Sequence, residues 1–344
     1  MIIFYMCNKS KIIFLSFILL GLGISLAVAQ DPVFSQFYTS PLLVNPALAG
    51  NGNANWRIAG NRRSQWIGEG LEPLNTTSVS FDGKLFKQQD KETNYIGGGI
   101  LFLQDNGLSG AYKSNSFHFI VSSHVSLDEE DNNGLSVGLG GSYSNTLIDY
   151  SQLSFSQQLN SSGFNRSLPT NELFLSNIEP YYSMFAGINY SYTNERASFD
   201  LGVSGYRFLK TNRSALNDPN QLDPPRYNFH ADYQTYLNDK LVFNTNGIYI
   251  IESNLQTYSF GVNFGKILDE SDSPSILNAG LWYRSNEAVI PYLGIVVNNI
   301  QTGFTYDIPI ASSSNSLGTL KTFEFSLIFH SPQKNKSPIP CPWK

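Results

Sequence analysis

Apolar and polar side chains alternate with a period of two along most of this chain, and no other feature constrains its fold as tightly. In 117–127, Phe117, Phe119, Val121, Val125 and Leu127 share one face, against His118, Ser122, His124 and Ser126, with Ile120 the exception. In 135–144, Leu135, Val137, Leu139 and Tyr143 oppose Ser136, Gly138, Gly140, Ser142 and Ser144. The stretches 182–193 and 227–236 repeat the pattern, and the last sets Phe323, Phe325, Leu327 and Phe329 against Thr322, Glu324 and Ser326. Successive strand residues point to opposite faces, so each stretch reads as a strand with one apolar and one polar side.

A soluble sandwich buries the apolar side, whereas a membrane barrel turns it outward to lipid. Charge placement separates the two, because a charge facing lipid at mid-depth costs about 2–4 kcal/mol. Asp82, Lys84, Asp200, Asp232 and Glu324 all fall on the polar face, which is otherwise rich in Gly and Ser. Only 14% of residues are charged and 14% are aromatic, while mean hydropathy is −0.18, too polar for a helical membrane protein. These values favour a transmembrane antiparallel β-barrel over a sandwich. A net charge of −5 argues against nucleic acid as a partner.

The first 29 residues have the form of a cleaved signal peptide: Lys9 and Lys11, an apolar run Ile12–Leu26, then Ala27-Val28-Ala29. After Gln30 no apolar run approaches the ~18–20 residues of a membrane helix. Cys7 precedes the apolar run, so Cys341 is the one cysteine of the processed chain, which therefore has no internal disulfide.

The alternation predicts about fourteen strands: 55–66, 76–86, 95–104, 113–127, 134–146, 181–193, 196–208, 226–237, 241–251, 255–265, 276–284, 289–297, 299–308 and 321–330. The even number suits a bacterial barrel. Turns after even-numbered strands are mostly short, and the three longest connections, 147–180, 209–225 and 309–320, all follow odd-numbered ones. That sorting is expected of periplasmic turns and extracellular loops. Two places are irregular. Pro291 interrupts 289–297, where both faces are apolar, and the adjacent Arg62 and Arg63 must send one cation outward.

Few residues suggest catalysis. His118 and His124 share a face but lie ~20 Å apart along an extended strand, too far for one metal. His230 beside Asp232 leaves open a lumenal hydrolase site, although histidines lining a polar lumen need no such role. Asp128-Glu129-Glu130-Asp131 lacks calcium-loop spacing and reads as a solvated turn. Gly97-Gly98-Gly99 and Gly138 to Gly141 lie inside strands with no helix following, so they read as relief of crowding in a barrel wall rather than nucleotide loops. The segment 31–50 carries three prolines, which bar a regular helix or central strand, and is too apolar to hang free. It is expected to tuck into or under the barrel and partly occlude the lumen.

The same segment carries a resemblance. Asp31-Pro32, Phe34-Ser35-Gln36-Phe37-Tyr38, Pro41-Leu42 and Asn45-Pro46-Ala47-Leu48-Ala49-Gly50 resemble the start of the PorP/SprF family of Bacteroidota outer-membrane proteins. The similarity continues at Arg63-Ser64-Gln65-Trp66, Gly280 to Arg284, Ala288 to Gly294, Gly303 to Asp307 and Cys341-Pro342. Lys321-Thr322-Phe323-Glu324 departs from the G-x-H-E type sequence of many members. The resemblance implies a fourteen-stranded barrel associated with type IX secretion and gliding motility, without known catalysis and without a cofactor. It further implies a role in the core machinery or in export and surface attachment of large adhesins.

The resulting expectation is an all-β outer-membrane protein with a signal peptide (1–29), a periplasmic or lumenal amino-terminal segment (30–54), a barrel (55–330) and a tail (331–344). Its expected partners are a secreted adhesin or a periplasmic secretion-system protein, together with outer-membrane lipid. Candidate partner-binding residues are Phe34, Phe37, Tyr38, Asn45 and Pro46 in the segment, and Phe155, Phe164 and Phe174 in the 147–180 loop. A pore or transporter for small solutes is the alternative, and a barrel-embedded lipid hydrolase a third reading.

Overall fold

The computed structural model describes residues 33–68, 72–87, 94–161, 163–165, 167–170, 178–209, 223–269, 274–310 and 320–332. The signal-peptide residues, Phe174 and Cys341 lie outside them.

Fourteen strands close into one antiparallel barrel. In chain order they are β1 (Trp56–Ile67), β2 (Leu74–Lys87), β3 (Tyr95–Gly107), β4 (Tyr112–Ser126), β5 (Asn133–Ile148), β8 (Ile178–Thr193), β9 (Ala197–Tyr206), β10 (Arg226–Asn238), β11 (Leu241–Glu252), β12 (Leu255–Ile267), β13 (Ile276–Arg284), β14 (Ala288–Val297), β15 (Ile300–Pro309) and β16 (Lys321–His330). Two short strands in the loop after β5, β6 (Leu159–Asn160) and β7 (Gly163–Phe164), form a separate ladder. Each barrel strand pairs with the next in sequence, and β1 pairs with β16 to close the ring.

All fourteen expected strands are present, and the main differences lie at their upper ends. β5 and β8 run 16 residues each, against 9 for β13. Roughly 9–11 tilted residues suffice to cross a bilayer, so the surplus lifts that side of the wall beyond the membrane. The long connections share the end of the barrel opposite Trp56 and His330, which is therefore the extracellular end.

The alternation resolves as expected for a membrane barrel. Outward Phe119 and Leu139 are 64% and 63% exposed, while inward Glu324 and Asn189 are 1% and 0% exposed. The adjacent arginines divide: Arg62 points outward, and Arg63 is buried inside. Pro291 keeps its register with β13, but the ladder from β14 to β15 skips Ile290 and Pro291 before resuming at Tyr292↔Thr305. A missing N–H is thus accommodated on one side of the strand only. The acidic run forms the β4–β5 turn, where Asn133 donates to Asp128 and holds its carboxylate below the usual range.

Leu139 stands near mid-depth on the lipid face, opposite Val121 and Ala186. Leu139→Arg is expected to lower stability by about 2–4 kcal/mol, read from denaturant titration of protein refolded in lipid vesicles. A neutral result would place that face away from lipid.

Candidate functional site: a segment held inside the barrel

The lumen is occupied by the chain's own residues 33–50. The prolines here do not prevent helical turns but start them. Pro41 opens a short helix, Pro41–Val44, and Pro46 a 3-10 turn, Pro46–Leu48, at positions where a missing N–H costs nothing. Asn45 joins the two, its side-chain oxygen accepting from Ala47 N at 2.9 Å. These tight turns fold the segment into a width the lumen can hold.

The segment descends the full depth of the wall. At the extracellular end the Val33 carbonyl accepts from Arg63. Backbone N–H groups of Ser35 and Gln36 donate to the Glu324 carboxylate at 2.6 and 2.9 Å. Asp307 takes ion pairs from Arg63 at 3.0 Å and Arg284 at 3.1 Å, and the Ser35 hydroxyl donates to it at 2.7 Å. Both arginines thus meet the Asp307 carboxylate while Glu324 is held by hydrogen bonds, and paired or hydrogen-bonded charge is what burial of ions requires.

At mid-depth the Asn45 amide donates to the Ile188 carbonyl at 3.0 Å and lies 3.1 Å from His230 Nε2. Ser204 and Asn228 donate to the Val44 carbonyl at 2.7 and 2.9 Å. At the periplasmic end Asp82 accepts from Gly50 N at 2.8 Å while held by Arg57 through bonds of 3.0 and 2.9 Å. His124, stacked on Tyr95 at 4.2 Å, lies 2.9 Å from the Ala49 carbonyl. In this way wall side chains supply partners that a sheet or helix would otherwise provide.

Apolar contacts pin the segment on two arcs of wall. Phe37 and Val44 pack with Ile248, Ile250, Trp282, Ile290 and Tyr292, and Tyr38 lies against Trp282 with ring centroids 5.1 Å apart. Leu42 and Ala49 pack with Leu101, Ile120, Phe185 and Tyr206. Ile120, the apolar exception in its strand, and the two-faced apolar pattern of β14 are therefore the wall's side of one interface.

Wall glycines mark the rest of the footprint. A Cβ at Gly138 would stand 2.3 Å from Ala47 N, at Gly187 2.0 Å from Asn45 Oδ1, at Gly97 2.2 Å from the Ala49 carbonyl oxygen, and at Gly303 2.5 Å from Gln36 Oε1. Only a hydrogen side chain lets strand and segment approach so closely. A cavity of about 60 Å³ remains beside the segment, lined by Phe37, Tyr38, Leu48, Arg57, Asp200 and His230 among others.

The candidate partner-binding residues divide between interior and surface. Phe34, Phe37, Asn45 and Pro46 are buried and Tyr38 partly so, which leaves this group packed against its own barrel. Phe155 is half-buried in the loop after β5, and Phe164 is 59% exposed. His230 meets Asn45 rather than a serine, and among the described residues no three His, Cys, Asp or Glu side chains cluster to hold a metal. The charge group of Arg63, Arg284, Asp307 and Glu324 is absent from the candidates read in the sequence. Its one local signal is inward-facing charge on four separate strands.

These features define an integral outer-membrane β-barrel whose lumen is occupied by its own amino-terminal segment. The chain belongs to the PorP/SprF family, type IX secretion system membrane proteins, whose model matches residues 27–329. This is a family of secretion-system barrels, not of enzymes. No curated protein matches the chain. Among solved structures it is similar to the toluene transporter TbuX of Ralstonia pickettii, at 10% identity and a TM-score of 0.49, covering 85% of this chain and 94% of that one. It is also similar to the monoaromatic hydrocarbon channel CymD, at 6% identity and a TM-score of 0.47, covering 86% and 94%.

Gly138→Val should force wall and segment apart and cost about 1–3 kcal/mol, the usual range for overpacking. Gly141→Ala, where a Cβ meets nothing closer than 3.5 Å, should change stability by less than about 0.5 kcal/mol. Thermal unfolding of the two variants in detergent compares them directly.

Proposed function

We propose that this barrel supports the export or surface anchoring of a large secreted adhesin and does not conduct small solutes. The observation that carries this reading is the lumen itself. A segment bonded to the wall at the top, middle and bottom and fitted against glycines is built to stay in place. A solute channel needs a continuous path, and the segment takes up much of the space such a path would use. Membership of a secretion-system family supports a protein cargo rather than a small molecule.

With the segment facing inward, recognition falls to the extracellular loops. Leu159, Phe164 and Leu168 in the loop after β5 are exposed, an apolar group on a face that otherwise meets water. The β6–β7 ladder sets two of them, Leu159 and Phe164, opposite each other. In this reading that hairpin docks the partner, and the barrel anchors it to the outer membrane.

Crosslinking in native outer membranes followed by purification should recover a very large secreted protein. The double variant Leu159→Asp, Phe164→Asp should lose most of that recovery while the barrel remains folded, as judged by heat-dependent mobility on gels. Undiminished recovery would remove the hairpin from the interface. In planar bilayers the wild-type protein should show no steady large conductance; a stable open channel would instead favour solute transport.

A further inference from the structure

The hydrogen bonds of the segment are arranged unevenly around the ring, and the arrangement suggests a second task for its first residues. Around the barrel, each strand pairs with its neighbour in sequence, except at one seam where β1 meets β16. Asn61 and Glu324, which bond across that seam at 3.0 Å, are 263 residues apart in the chain. Closing so long a loop carries the largest entropic cost of any pair in the ring. Until it closes, two strands present unpaired N–H and C=O groups to lipid, which offers them no partner.

The seam ladder is regular from Arg57↔His330 to Ser64↔Phe323 and then shifts before Ile67↔Lys321. Trp66, within the shift, has a φ of 61°. The upper end of the seam is therefore its irregular part, and residues 33–39 lie against the last regular pairs below it. On the β16 side, Ser35 N and Gln36 N reach the Glu324 carboxylate, Gln36 Nε2 donates to the Glu324 carbonyl at 3.3 Å, and Ser326 donates to Gln36 Oε1 at 2.7 Å. On the β1 side, Asn61 donates to Thr39 Oγ1 at 2.9 Å and Arg63 to the Val33 carbonyl. Asp307 on β15 ties Arg63 of β1 to the same group, spanning β16 altogether. Gly303 on β15 leaves the space that Gln36 fills.

We propose that residues 33–39 are a clasp that closes the barrel, so that seating of the lumenal segment and pairing of the first strand with the last occur as one event. The clasp is attached directly upstream of β1. It arrives with the strand it must join and supplies acceptors and donors to the partner strand before the ladder is complete. This role is independent of whether the outer loop docks an adhesin.

The test uses the full chain with Cys341→Ser and a pair of cysteines on the lipid face of the seam, Ile58→Cys with Phe329→Cys, which lie opposite each other. A control pair, Val262→Cys with Leu281→Cys, lies across β12 and β13, away from the clasp. Oxidation should join both pairs in the otherwise unchanged protein. Glu324→Ala, which removes the bonds from Ser35 N, Gln36 N and Asn61, should raise the fraction of unjoined seam at least about tenfold, the factor for a single charge-assisted hydrogen bond, and leave the control pair joined. Gln36→Ala should act in the same direction more weakly. Ser122→Ala, which removes a bond from β4 to the Ala49 carbonyl at the periplasmic end of the segment, should leave the seam joined. Equal seam joining in all variants overturns the clasp. So does a parallel loss of both cysteine pairs in Gln36→Ala, because that result assigns the segment a general packing role instead.

Discussion

Lipid offers no hydrogen bonds, and the rest of this structure depends on that fact. A backbone crossing the bilayer as strands must pair every N–H and C=O within the sheet, so the sheet must close on itself. Closure sets the alternation: apolar side chains outward, polar ones enclosed. It also creates a problem inside, since fourteen strands enclose more space than their own inward side chains fill.

The chain answers with its own amino-terminal segment. Lacking a regular ladder, the segment has its polar groups met by side chains from strands all around the ring. Glu324 and Asp307 serve it at the top, Asn228 and Ser204 in the middle, Asp82 and Ser122 at the bottom. Apolar wall residues grip Phe37, Leu42 and Val44 between these levels. Charges that would be costly alone are placed where each has a partner, which is the condition under which buried ions persist.

In the proposed reading, recognition falls to the outer surface. Side chains that look exposed-prone in an unfolded reading, such as Phe34 and Phe37, are spent on internal packing. Leu159 and Phe164 remain outside because β6 and β7 form a ladder of their own, apart from the barrel. The family's association with secretion fits a barrel that serves as an anchored platform.

Much of the fold is legible in the sequence because strand periodicity is local. Whether Phe119 faces out and Ser122 in follows from the parity of their positions, and the inward charges at Asp82, Asp200 and Glu324 decide which side is wet. The odd features were legible only as oddities: Ile120 on a polar face, Ile290 and Tyr292 doubling the apolar character of β14, and glycines at 97, 138 and 187. Their cause lies in a segment from the other end of the chain, and no local pattern specifies which residue 47 will meet residue 138. The sequence alone thus determined the wall, its orientation and the number of its strands. The tertiary structure decided what the wall encloses, because close contact between distant residues is a property of three-dimensional distance, to which periodicity along the chain is blind.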